Sequence, residues 1–272
     1  MSLSQHIALV TGGSRGIGRA IVEGLAEEGA SVLFTGRNPE TGAALEKECA
    51  AKGYAVKFLV ADSAIEDEVR RAVATTVEQF GGLTTLVNNA AATDMTGPGK
   101  PDSNVADIAN FAFDTVLRTG LSGTLWASKY AIHHMREHGG GSITNISAAS
   151  SILAIKGRPA YQASKGAINA LTRQMAVDFG PDNIRCNAII VGFINTGGPA
   201  ISKMIENERF ISGIRHQILV PRLGEPRDIA NGVIYLASEA AAYVTGVLLP
   251  IDGGYTSHIS IPDTSAMSAI EL

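Results

Sequence analysis

Seven short apolar runs, rich in β-branched residues, recur along the chain with longer amphipathic stretches between them. HIALVTGG, ASVLFTGR, AVKFLVAD, LTTLVNNA, GSITNIS, NIRCNAIIV and GVLLPIDGG are near-continuously apolar rather than alternating. That is the pattern of strands whose two faces are both covered by helices. Between the third and fourth runs, EDEVRRAVATTVEQFG sets Val69, Val73, Val77 and Phe80 at helical spacing with charges opposite. Repeated βα units with right-handed crossovers predict an α/β fold, a doubly wound seven-stranded parallel sheet with helices on both faces. With 272 residues, 45% of them hydrophobic, and no linker or internal repeat, residues 1–272 read as a single domain.

Other classes are poorly served by this composition. The basic residues are scattered and the net charge is −4, so no nucleic-acid partner is expected. Cys49 and Cys186 cannot build a disulfide framework and lie in no Cys/His cluster, so no metal site is expected either. The N-terminal MSLSQHIALV lacks a basic n-region and a long apolar h-region, and no apolar run approaches a bilayer span. A soluble, cytoplasmic chain with no membrane partner is the expectation.

Two segments break the βα rhythm. Residues 92–106 form a turn-rich loop after the fourth strand, and residues 195–223, after the sixth, read as a substrate lid carrying short helices. Both leave carboxyl ends of strands, where open α/β sheets bind ligands. Residues 255–272 read as an irregular tail.

The first strand runs into TGGSRGIGRAIVEGLAEEGA, with Gly12, Gly16 and Gly18 at the turn into an amphipathic helix bearing Ile17, Ile21 and Leu25. Glycines there permit a tight turn and let the backbone approach a pyrophosphate over the helix N-terminus.

The TGxxxGxG spacing, NNA after the fourth strand and YxxxK at Tyr161 and Lys165 together resemble the short-chain dehydrogenase/reductase family, over residues 6–255. The resemblance implies a Rossmann-type domain, a nicotinamide cofactor and a homotetramer built through the long fourth and fifth helices. It places the cofactor against Gly12, Ser14, Arg15, Gly16, Ile17 and Gly18. Asp62 and Ser63 would lie near the adenine, and Asn89, Ala90 and Ala91 under a ribose. Gly192, Ile194 and Thr196 would meet the carboxamide, with Lys165 and Tyr161 at the nicotinamide end. Members using NAD generally end the second strand with an acid that holds the ribose 2′-OH. Gly36 stands there, followed by Arg37, and the resemblance places Arg15 in the same pocket. Two guanidiniums and no carboxylate suit the 2′-phosphate of NADP(H).

A free tyrosine titrates near 10 and is a poor acid or base at neutral pH. An ammonium one helical turn away favours its phenolate, and Lys165 has that spacing from Tyr161. In the family the tyrosine is the acid/base and the lysine also holds the nicotinamide ribose. The family's serine, thirteen positions before the tyrosine, is Ala148 here, and Ser147 lies one step away, on the opposite face of a strand. Ser147, Ser150, Ser151 or a group of the substrate remain as replacements. The family's helix-four asparagine is Gly120, in TGLSG, and two smaller departures are NNAA at Ala91 and VG at Val191–Gly192.

Three functions fit these residues. The first is an NADP(H)-dependent oxidoreductase that reduces a ketone or oxidises a secondary alcohol, with Tyr161 as acid/base. The second is a non-redox dehydration, cyclisation or isomerisation on the same scaffold, and the third a cofactor-binding protein with weak reductase activity. Ile201, Met204, Ile205, Phe210 and Ile214 in the lid suggest an apolar, cyclic or bulky small-molecule substrate. His133, His134 and His138, near the C-terminal end of a helix, suit carbonyl capping or solvent rather than metal.

Overall fold

A computed structural model of the protein describes residues 2–258. The part of the C-terminal tail beyond residue 258 lies outside them. The chain alternates β1 (Ile7–Thr11), α1 (Gly16–Glu27), β2 (Ser31–Gly36), α2 (Pro39–Ala51), β3 (Val56–Val60), α3 (Glu66–Phe80) and β4 (Thr85–Asn88). A long kinked helix follows, made of α4 (Asn110–Leu117), a π turn (Arg118–Ser122) and α5 (Gly123–Glu137). Then come β5 (Gly141–Ala148), α6 (Pro159–Phe179), β6 (Ile184–Val191), α7 (Pro199–Glu206), α8 (Glu208–Gln217), α9 (Pro226–Ala237) and β7 (Leu248–Ile251).

Among the described residues the strands form one seven-stranded sheet, in the order β3-β2-β1-β4-β5-β6-β7, every pairing parallel. Both faces are buried, which is why the strand sequences carry no polar alternation. Ala8, Val10, Val32 and Phe34 face one core with Ile21 and Leu25 of α1 and Val233 of α9. Leu9, Leu33, Leu86 and Ile143 face the other with Val69 and Val73 of α3 and Met135 of α5. Local signals set the ends of the elements. The Asn38 side chain accepts from the amides of Glu40 and Thr41 at the start of α2, and Gly81, at φ 82°, stops α3 in a left-handed turn.

The strand order reverses direction between β1 and β4. A crevice therefore opens beyond their carboxyl ends, where Thr11 is level with Asn88. Everything the sequence nominated for cofactor contact lies on segments leaving this edge of the sheet. No helix among the described residues is long and apolar enough to cross a membrane. Cys49 and Cys186 are buried free thiols, and burial pushes Cys186 up to about 12.

Candidate active site

The glycine turn after β1 is shaped by contacts a side chain could not share. A Cβ on Gly18 would lie 2.1 Å from the Gly12 carbonyl oxygen, so α1 can start this close to the strand only with glycine there. The Asn89 amide donates to the carbonyls of Thr11 and Gly12, at 3.1 and 2.8 Å, and fixes the turn against the end of β4. The N-terminus of α1 has neither a side-chain cap nor an acidic residue in its first turn. Its orphan N–H groups and dipole are thus left for an external anion, whereas α3 carries Glu66, Asp67 and Glu68 there.

The residues nominated for the adenosine end are gathered around this turn. Gly36 ends β2, and a Cβ there would come within 2.9 Å of the Ser14 hydroxyl, so a longer acid would have to displace Ser14. Arg15 donates to the Thr93 hydroxyl at 3.3 Å, and Arg37 pairs with Asp94 at 3.2 Å, both exposed. The Asp62–Ser63 turn follows β3: Asp62 accepts from the Ala64 amide, and Ser63 is wedged against Gly123 at the start of α5. On the other side Thr196 sits 3.5 Å from where a Gly16 Cβ would be, Ile194 bridges to Gly224, and Gly192 packs against Asp252. An uncapped helix start with Arg15 and the Asp94-paired Arg37 nearby fits the phosphates of a dinucleotide.

The nominated Tyr161–Lys165 pair lies on α6, held onto β4 and β5 by a buried polar network. Asn88 donates to Asn145 at 2.9 Å and to Ser128 at 3.1 Å, and Asn145 donates to Thr172 at 2.9 Å. Lys165 is 3% exposed. Its ammonium donates to the Ile146 carbonyl at 2.6 Å and lies 5.7 Å from the centre of the Tyr161 ring. Burial raises the Tyr161 pKa above its ordinary value, opposed by the positive charge of Arg158. Burial also lowers Lys165 to about 8. In the ligand-free protein at neutral pH the pair is a neutral phenol beside an ammonium, which is the donor state a developing alkoxide needs.

That buried ammonium has a stability consequence. Below pH about 8, Lys165 is charged in folded and unfolded chains alike, and its burial costs the full difference. Above 10.5 it is neutral in both and the cost vanishes, so wild-type stability rises with pH across that window. A shift of this size corresponds to about 3 kcal/mol, offset in a Lys165→Met variant by about 1 kcal/mol for the lost bond to Ile146. Lys165→Met should therefore melt higher than wild type at pH 7 by an amount equivalent to ~2 kcal/mol. The advantage should shrink as pH rises from about 8 and reverse to about 1 kcal/mol in favour of wild type above 10.5, where only the lost bond to Ile146 is left. Thermal denaturation across this range would show it.

The candidate hydroxyls divide clearly. Ala148 ends β5, and no hydroxyl stands at that position. Ser147, nominated as a stand-in, is 2% exposed. Its hydroxyl faces the Lys165 carbonyl and Ser151 Oγ, each at 3.3 Å, as the one-residue offset on a strand dictates. Ser151 donates to the Ala148 carbonyl at 2.6 Å and accepts from Asn169 at 2.8 Å. Ser150 keeps a buried hydroxyl with no partner among the described residues.

At Gly120 the helix kink persists without the asparagine, as the π turn between α4 and α5. The Gly120 carbonyl accepts from Thr124 at 2.7 Å. The unpartnered Ser164 hydroxyl fills the space of an absent side chain, 2.5 Å from where a Gly120 Cβ would be.

Asp102 gave no sequence signal. It is 1% exposed, and its carboxylate accepts from the amides of Ala160 and Tyr161, each at 3.1 Å. It caps α6 from a distant loop and fixes the first turn of the helix that carries the phenol. The segment read as a lid is helical over α7 and α8, with Phe210 against Phe193, ring centres 5.7 Å apart. Ile152, Leu153 and Ile155, exposed between β5 and α6, add apolar surface just before Tyr161. His138 bonds the His134 carbonyl through Nδ1 at 2.7 Å, and the two rings stack.

Fold and site together define a dinucleotide-binding α/β protein with a tyrosine–lysine pair at the switch-point crevice. A family profile described as enoyl-(acyl carrier protein) reductase matches residues 12–256. A 7alpha-hydroxysteroid dehydrogenase of Clostridium sardiniense is 35% identical, over 93% of this chain and 94% of its own. A short-chain type dehydrogenase/reductase from Mycobacterium ulcerans superposes with a TM-score of 0.88 at 31% identity, covering 98% of this chain and 95% of that one. A gluconate 5-dehydrogenase from Burkholderia cenocepacia J2315, solved in complex with NADP and tartrate, superposes with a TM-score of 0.86 at 29% identity. Coverage there is 95% of this chain and 98% of that one. The chain belongs to the short-chain dehydrogenase/reductase family, whose members use NAD(P)(H), and is an oxidoreductase of the short-chain type.

Proposed function

We propose that the protein is an NADP(H)-dependent reductase of apolar ketones, or dehydrogenase of the matching secondary alcohols. The observation that carries this is the close Tyr161–Lys165 pair, with Lys165 buried, on the same molecule as a glycine turn flanked by Arg15 and Arg37. When bound, the cofactor supplies or accepts the hydride. Tyr161 gives its phenolic proton to the carbonyl oxygen. Lys165 keeps a positive charge beside the phenol and holds the nicotinamide ribose, while α7 and α8 cover the pocket. The apolar residues of the lid and of the 152–155 segment favour a cyclic, hydrophobic body, as does similarity to a 7alpha-hydroxysteroid dehydrogenase. A homotetramer packed through α4–α5 and α6 accords with the exposed Phe111, Leu125 and Val177 on those helices.

Calorimetry with NADPH and NADH tests the cofactor assignment. NADPH should bind wild type at least ~10-fold tighter, and Arg37→Ala should erase that advantage with NADH affinity unchanged, since a charge-assisted bond contributes about 1.5–3 kcal/mol. Equal affinities in the wild type would overturn it. Ala148, which leaves a developing oxyanion one donor short, favours a second reading, in which Tyr161 moves a proton without hydride transfer. Tight NADPH binding with no NADPH oxidation over a panel of steroid and cyclic ketones and quinones would move the assignment there.

A further inference from the structure

Arg158 is half-buried at the N-cap of α6, three residues before Tyr161. Its carbonyl accepts from the Gln162 amide, but its guanidinium makes no hydrogen bond and no ion pair among the described residues. Its guanidinium lies over the 92–106 loop, where a Cβ on Gly97 would be 3.9 Å from both Arg158 Nη2 and Lys100 Cγ. Lys156, exposed, is two residues upstream. The acids that could neutralise this group are already engaged. Asp94 is paired with Arg37, and Asp102 is buried with both oxygens on main-chain amides. In a chain of net charge −4, Arg158 and Lys100 thus meet at Gly97 with no acid paired to either among the described residues, and Lys156 is close in sequence. A half-buried guanidinium gives up hydration and recovers it only from an anion or another acceptor.

The position selects which molecule supplies the anion. Arg158 stands at the start of α6, whereas the cofactor phosphates belong at the start of α1, two strands away across β4 and β5. The charge of Arg158 is felt at the Tyr161 phenol, so a group bound to it is held close to the reacting carbonyl. The exposed Ile152, Leu153 and Ile155 lie between β5 and this arginine.

We propose that Arg158, with Lys100 and Lys156 on the rim, binds a carboxylate carried by the otherwise apolar carbonyl substrate. The substrate class is then a hydrophobic oxo-acid or hydroxy-acid, and Arg158 is a specificity-determining residue. This rests on the reading of Tyr161 as the group that meets the substrate.

The test uses 4-oxocyclohexanecarboxylate and its ethyl ester as probes. Each is titrated calorimetrically into the full-length protein saturated with NADP+, and assayed separately for NADPH oxidation. The acid should bind wild type about tenfold tighter than the ester. Arg158→Gln should remove the difference and leave ester affinity unchanged, and Arg158→Lys should restore part of it. Lys100→Gln with Lys156→Gln should weaken acid binding by a smaller factor that shrinks with added salt. Equal binding of acid and ester by wild type, a preference that survives in Arg158→Gln, or no binding of either probe would each overturn the proposal. Acid preference without turnover would support the carboxylate site and count against the reductase reading. Turnover without acid preference would do the reverse.

Discussion

Replacing Tyr161 by Phe should lower kcat/KM for carbonyl reduction by ~10²–10⁴-fold, the usual contribution of a positioned general acid. NADPH affinity should stay within about twofold, because the phenol adds little to a dinucleotide anchored at the start of α1. The size follows from geometry. Tyr161 is half-buried, desolvation keeps it protonated at neutral pH, and the Ser147 and Ser151 hydroxyls are engaged in internal hydrogen bonds. With the phenol gone, the proton must come from solvent. Initial rates for the two proteins with the same ketone read the effect directly. A Phe variant retaining a third or more of the wild-type rate would remove Tyr161 from its role.

The second large effect runs the other way. Ala148→Ser restores a donor at the end of β5, and a donor to a developing oxyanion contributes ~10²–10³ in rate. The variant should therefore reduce cyclic ketones about a hundredfold faster, chiefly through kcat. Adding Gly120→Asn should contribute less. The π turn already supplies the kink, and the Gly120 carbonyl is already bonded to Thr124. The new side chain must also turn the Ser164 hydroxyl aside. That hydroxyl has no partner to lose, so the double variant should fold with a stability close to that of Ala148→Ser. Unchanged turnover in a well-folded Ala148→Ser protein with normal cofactor affinity would show that the missing hydroxyl is not what limits the wild type.

The strands were legible because each must be apolar on both faces, as Leu9 and Val10 illustrate by entering opposite cores from adjacent positions. Tyr161 and Lys165 were legible for a similar reason, since a four-residue spacing on a helix fixes their neighbourhood before any tertiary contact forms. The offset of Ser147 from Ala148 could likewise be read, because one step along a strand reverses the side chain. Other features depend on contacts between distant segments. Asp102 lies 58 residues before the amide of Ala160 that it caps, in a loop whose turn residues hide its burial. The raising of Tyr161 comes from desolvation, which the YxxxK spacing does not encode, and it reverses the expectation that the ammonium would draw the phenol down; desolvation lowers Lys165 as well. The isolation of Arg158 emerges only once Asp94 and Asp102 are seen bound elsewhere.

Hydride and proton delivery at this crevice can be followed together. NADPH deuterated at the transferring position of C4 is mixed with a panel of cyclic ketones, acids and neutral esters, and the alcohols are examined by mass spectrometry. The expected result is one deuterium at the carbinol carbon with wild-type protein, and a loss of that product in step with the rate in Tyr161→Phe. Tight NADPH binding with no deuterium in any product, or labelling undiminished in Tyr161→Phe, would contradict the reductase assignment.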